Sequence, residues 1–377
     1  LIDRGAELER MNEALHREDT QFIVIYGRRR IGKSELIKRI VKARHKAIYF
    51  LSDTSSETVQ RVAFSKVAAS VIDGFDKVIY PDWETLFRSF NNQLSERMLV
   101  CLDEFPYLVK SCDVLPSIIQ KLLNEKILKF DLVLCGSSQQ LMHGYVLNRQ
   151  SPLYGLANEI IKMQPIPAQY MSMAMECDAV QAVEEYAIWG GVPRYWELRR
   201  DYPDKETAIR KVLLDPQGPL IEEPQRLLRD DMRDTVQAST LLTIIGNGAN
   251  KLSEIANRAG KDSSTISEPL SKLRELGYVS REVPFGESPK KSKKGIYHIN
   301  DSLLRFHYQF IVPYRSILEL GRMDMVMQVV LSQLPQFIGQ CWELLCREYV
   351  SGNIIDGIAY NAASRWWGKI FPPENKD

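Results

Sequence analysis

The sequence has no CxxC pair: its six cysteines, Cys101, Cys112, Cys135, Cys177, Cys341 and Cys346, are scattered, and Cys101 and Cys135 fall inside apolar runs. That spacing excludes a zinc-ribbon or thioredoxin-like motif and marks them as reduced packing residues. No apolar run approaches the roughly 20 residues of a membrane span. The first twenty residues are charged and amphipathic, unlike a secretory signal. A cytoplasmic protein with no membrane partner is therefore expected. Net charge is almost absent, with 49 Lys+Arg against 48 Asp+Glu, so any site for a polyanion has to be local. Internal repeats are also lacking. The chain opens on Leu1 instead of Met, which predicts a natural start further upstream. What is present is 377 residues, 45 % hydrophobic and 26 % charged, enough for two or three folded, soluble cores.

Five short β-like apolar runs, at 22–26, 47–51, 98–102, 131–135 and 159–163, alternate with amphipathic helical stretches. The alternation predicts a parallel sheet covered by helices, an α/β P-loop NTPase core over 1–164. From 165 to 234 the pattern is helical, broken by Gly190-Gly191-Val192-Pro193 and by Pro216, Pro219 and Pro224, as expected of a small helical domain. Residues 235–300 show three helical periods and then two β-like segments, the order of a winged helix. Over 301–377 the aromatic content rises in a C-terminal helical region that ends in Trp366-Trp367 and a polar tail, 372–377.

Chemistry enters at Gly27-Arg28-Arg29-Arg30-Ile31-Gly32-Lys33-Ser34, which matches GxxxxGK[ST] between the run FIVIY and the helical ELIKRIVKA. A phosphate loop needs that context, a strand to aim it and a helix N-terminus to receive the anion. Backbone N–H groups of Gly27, Arg30, Ile31, Gly32, Lys33, Ser34 and Glu35 are expected to cradle the phosphates. Lys33 would neutralise β- and γ-phosphate charge, and the Ser34 hydroxyl would ligate Mg²⁺. The run 98–102 leads directly into Asp103 and Glu104. Asp103 is expected to hold Mg²⁺, and Glu104 to polarise an attacking water. The run 131–135 ends in Ser137 and Ser138, where a hydroxyl can sense the γ-phosphate. Ser137 is the first choice and Ser138 the second, and capping of the following helix is the competing role.

The segments LIDRGAELERMNEAL, FIVIYGRRRIGKSELIKR, IYFLSD, LVCLDEFPYL, LVLCGSSQQLM, SPLYG, WGGVPRYW and PLIEEPQRLLRDDMRD together resemble the archaeal-type AAA ATPases, a STAND-related branch of the AAA+ P-loop NTPases. The resemblance runs from residue 1 to about 350. It implies a strand order 5-1-4-3-2, a helical lid, ATP as the nucleotide, and a C-terminal domain similar to restriction-endonuclease-like nucleases. It also puts Ile2-Asp3-Arg4 where such proteins wrap the adenine, and makes Gly190-Gly191-Val192-Pro193 a lid turn whose Pro193 packs near the base. One departure stands out. Where the family reads SPLYGR, Leu156 follows Gly155, so an arginine for transition-state charge is missing there. Arg149 is the nearby substitute, offered to a neighbouring subunit, and slow or partner-dependent hydrolysis is expected.

In the winged-helix stretch, 252–260 forms a helix stopped by glycine, and 263–276 carries Ile266, Leu270, Leu273 and Leu276 at helical spacing, as in a recognition helix. Pro269 is expected near that helix's first turn, because deeper inside it removes a backbone bond. Ser264, Thr265 and Lys272 would face base edges of double-stranded DNA. Lys290, Lys291, Lys293 and Lys294 lie between the two strands, and 251–300 holds ten Lys/Arg against six Asp/Glu, which suits phosphate contact. Docking on the protein itself or on another protein is the alternative. The stretch from 337 to 367 resembles the beginning of the nuclease-like domain, with Glu343 at the place of a helix acid. The chain stops before an Asp and a Glu-x-Lys pair, so a nuclease site is not expected from it. The sequence thus points to an ATP- and Mg²⁺-binding switch ATPase; a DNA effector regulated by ATP, or a protein scaffold with slow turnover, are the rival readings.

Overall fold

The computed structural model describes residues 3–367, and they divide into two compact units, 3–166 with Val192–Arg194, and Pro167–Gly191 with 195–367. In the first, α1 (Gly5–Leu15) precedes β1 (Phe22–Tyr26), α2 (Lys33–Lys42), β2 (Ala47–Leu51), α3 (Glu57–Ala68), α4 (Trp83–Gln93), β3 (Met98–Asp103), α5 (Phe105–Ser111), α6 (Leu115–Asn124), β4 (Phe130–Gly136) and β5 (Glu159–Lys162). The five strands form one sheet in the order β2-β3-β4-β1-β5, and every neighbouring pair is parallel. This is the order 5-1-4-3-2 implied by the resemblance.

Helical crossovers cover both faces of a parallel sheet, so its inner strands must be apolar throughout. β3 and β4 are buried at every position and β1 at all but Tyr26, whereas the edge strands β2 and β5 alternate. Over one face, α3 and α4 pack an aromatic cluster: Phe64 meets Phe50, Trp83, Phe87 and Phe90 edge-on with ring centroids 5.5–6.0 Å apart. Because all strands point the same way, their carboxyl ends share one edge, where ligands of open α/β sheets bind.

The second unit contains the helices Thr235–Gly246, Leu252–Arg258 and Ser263–Glu275, followed by the antiparallel pair β6 (Val279–Glu282) and β7 (Ile296–Ile299). Leu241, Leu242, Ile255, Ile266, Leu270, Leu273, Tyr278 and Tyr297 share its core. Contrary to the expectation of a first-turn position, Pro269 sits in the middle of Ser263–Glu275. The missing N–H faces back toward Thr265, an exposed residue whose carbonyl water can satisfy, while Ile266, Leu270 and Leu273 hold the helix by burial. The long helix Met323–Val350 continues the unit, and among the described residues no helix is long and apolar enough to cross a membrane. Ile2 of the adenine-side segment and the tail 372–377 lie outside the described residues.

Candidate functional site

The loop after β1 is shaped by its glycines. Gly27 has φ +151°, and a Cβ there would stand 2.5 Å from the Met163 carbonyl oxygen and 2.8 Å from Ile31 Cδ1. Gly32, at φ +94°, occupies the residue before α2 and turns the chain so that the helix begins at Lys33. Arg30 also takes a positive φ, 68°. Ile31 is wholly buried and reaches a ligand only through its backbone, and Glu35 is exposed on the first turn of α2. The buried Lys33 ammonium folds back over the loop, donating to the carbonyls of Gly27 (3.0 Å) and Arg28 (2.9 Å).

The buried Arg4 also reaches this loop: its guanidinium donates to the Ile31 carbonyl at 3.0 Å and to the Gln164 carbonyl at 2.9 Å, and pairs with Glu7. These bonds tie the N-terminal segment and the end of β5 to the phosphate loop. Pro193 is the first residue of the helix Pro193–Arg200 and falls, with Val192 and Arg194, in the same unit as the loop.

Asp103, wholly buried at the end of β3, accepts a bond from the Tyr49 hydroxyl at 2.6 Å on Oδ2 and from the Glu104 N–H at 2.9 Å on Oδ1. Glu104 sits at φ 55°, a left-handed backbone that turns the chain from strand into α5. Its Oε2 accepts from the Ser137 hydroxyl at 2.9 Å and from the Ser137 N–H at 3.3 Å. The two serines after β4 make different bonds. Ser138 Oγ accepts from Leu141 N at 3.2 Å and caps the short helix that follows, while Ser137 faces Glu104. Gly136 allows that approach, since a Cβ there would lie 2.5 Å from Met142 Sδ and 2.9 Å from Pro106 Cδ. Burial, followed by the Asp103 charge, raises the Cys135 thiol well above its ordinary range, with Lys33 opposing, which keeps it a neutral neighbour of the acid.

Two residues of this site were not picked out from the sequence. Tyr49 reaches Asp103 from β2. Ser52, just beyond that strand, donates its hydroxyl to the carbonyls of Asp103 (2.6 Å) and Glu104 (2.7 Å). The only signal was their adjacency in IYFLSD at the end of a predicted strand.

Elsewhere, Ser264, Thr265, Lys290, Lys291 and Lys293 are exposed and Lys272 is half-buried beside Glu275. Lys294 pairs with Glu287 at 2.6 Å, so this lysine is engaged within its own loop. Arg149 is exposed. Glu343 is gripped through both oxygens by Arg365, with Arg347 Nε at 3.7 Å, so it is a member of an ion-pair network that also includes Glu282.

The parallel sheet, the glycine-lysine loop after β1 and the acidic end of β3 define a P-loop ATPase core. Residues 1–197 match the family described as an ATPase domain predominantly from Archaea, and the chain belongs to that family. Residues 307–374 match a second family, described as Archaea bacterial proteins of unknown function. An uncharacterized protein of Methanocaldococcus jannaschii, MJECL04, is 30 % identical over 376 residues, covering 97 % of this chain and 81 % of the relative. Among solved structures, the ORC2 protein of Aeropyrum pernix in ADPNP and ADP complexes superposes with a TM-score of 0.54 at 12 % identity, covering 88 % of this chain and 96 % of that one, a likeness of fold.

Proposed function

We propose that this chain is a Mg²⁺-dependent ATPase acting as a STAND-type nucleotide switch, with a core over 1–164, a helical lid over 165–234, a winged helix over 235–300 and a nuclease-like segment beginning within 301–377. The reading is carried by one observation: Lys33 at the start of α2, Asp103 and Glu104 at the end of β3 and Ser137 just after β4 lie at the carboxyl edge of the sheet, where β3, β4 and β1 are neighbours. ATP enters with its phosphates on the N–H groups of the loop and of the first turn of α2. Lys33 exchanges the Gly27 and Arg28 carbonyls for β- and γ-phosphate oxygens. Ser34 and Asp103 offer the hard oxygen donors that Mg²⁺ takes, and the ion, when bound, neutralises phosphate charge. Glu104, held by Ser137 through Oε2, has Oε1 to orient the attacking water and accept its proton. Arg4 acts through the carbonyls it holds, and Pro193 flanks the base. The protein is expected in the cytoplasm, as a homo-oligomer or with a protein partner.

Labelled-ATP binding by wild type and Lys33→Ala tests the assignment. Loss of binding in the variant is expected, and equal affinity overturns it.

A second reading, binding of the β6–β7 loop to duplex DNA, is favoured by the exposed Lys290, Lys291 and Lys293. Neutralising these three should flatten the salt dependence of duplex binding by up to roughly 0.9 log unit for each phosphate no longer neutralised. Changes at Ser264, Thr265 or Lys272 should instead alter sequence preference. Absence of duplex binding by wild type rejects DNA and favours docking within the protein.

A further inference from the structure

We propose that Tyr49 is the positioning residue that orients Asp103 toward the metal of the nucleotide site, a role that rests on the ATPase reading above. Asp103 and Tyr49 lie on adjacent parallel strands, with Tyr49 paired to Cys101 and Leu51 paired to Asp103. A residue two places back along the strand is about 6.6 Å away, and the neighbouring strand about 4.8 Å across, so only a long side chain crosses this diagonal. A serine or threonine at position 49 falls short, whereas the phenol brings its hydroxyl to 2.6 Å from Asp103 Oδ2.

The carboxylate accepts from the phenol on Oδ2 and from the Glu104 N–H on Oδ1, with the Cys135 thiol beside it. Because the terminal torsion of Asp is broad and roughly two-fold, losing the phenol on Oδ2 loosens the carboxyl plane. The ring itself is held from α2, where Lys38 Nζ lies 5.5 Å from its centroid. Groups that orient a metal ligand in this way typically change metal affinity or activity by about 10- to 100-fold when removed.

Tyr49→Phe keeps the ring and removes only the hydroxyl. The test is binding of a fluorescent ATP analogue in EDTA and along a Mg²⁺ titration, with turnover followed over the same titration. Affinity in EDTA should match wild type within about two-fold, while the Mg²⁺ concentration giving half of the metal-linked effect should rise by roughly 10-fold or more, with turnover recovering at high Mg²⁺. An unchanged Mg²⁺ midpoint overturns the proposal. So does an equal loss of affinity with and without Mg²⁺, which marks Tyr49 as packing only. Wild type that binds no ATP under either condition overturns the ATPase reading, and Tyr49's role with it.

Discussion

The two edges of the five-stranded sheet treat charge in opposite ways. At the amino edge, Asp131 is 2 % exposed and is held by the Arg97 guanidinium at 2.6 Å and by the Gln21 N–H at 2.7 Å. Glu159, at the start of β5, receives both Arg10 (2.7 Å) and Arg17 (2.8 Å). Burial opposes ionisation of Glu159, and the two arginines outweigh it and hold its carboxyl below the ordinary range. At the carboxyl edge, by contrast, Lys33 bonds carbonyls, Asp103 a phenol and a peptide N–H, and Glu104 a hydroxyl and a peptide N–H. A charge paired with its opposite is matched within the chain and expensive to expose. A charge bonded to neutral groups can exchange them for a phosphate, a metal or a water. The same sheet thus has one edge closed by ion pairs and one edge open to ligand.

The largest expected effect that separates the edges is Glu104→Gln, which should lower turnover by about 10²- to 10⁴-fold while ATP binding and melting temperature stay near wild type. Wild-type turnover would remove Glu104 from the mechanism. Asp131→Ala should do the reverse. It leaves the Gln21 N–H without its partner and Arg97 with only the Arg17 and Glu18 carbonyls, lowers stability by about 3 kcal/mol in chemical denaturation, and spares ATP affinity in the folded protein. A selective loss of turnover with unchanged stability would break the comparison. Smallest is Ser137→Ala, which removes one neutral bond to Glu104 and leaves the 3.3 Å N–H bond. Turnover should fall by about tenfold, the equivalent of about 1.4 kcal/mol, with binding intact. A loss as large as that of Glu104→Gln would mean the serine touches the reacting atoms and does more than hold the acid.

Features confined to consecutive residues were legible at once. The phosphate loop is eight residues between a strand and a helix, and all five strand runs fall within about one residue of the observed strands. Their order came from the family resemblance, since five apolar runs have no spacing that says which neighbours which. Pro269 went astray because its local preference for a helix start was outweighed by burial of Ile266, Leu270 and Leu273 along one continuous face. Glu343 looked like a free acid on a helix, and its partner Arg365 is 22 positions away.

By itself, then, the sequence determined the strands, the loop and the identity of the charged groups, because periodicity and glycine geometry act over a few residues. Only the tertiary structure decided which of those charges are neutralised and which are left open. Tyr49 and Asp103 are 54 positions apart, Glu104 and Ser137 33, Gln21 and Asp131 110. Pairings of that kind are made by strand order and register, and a side chain's partner across a sheet is set by backbone hydrogen bonding between strands that the chain visits at widely separated points.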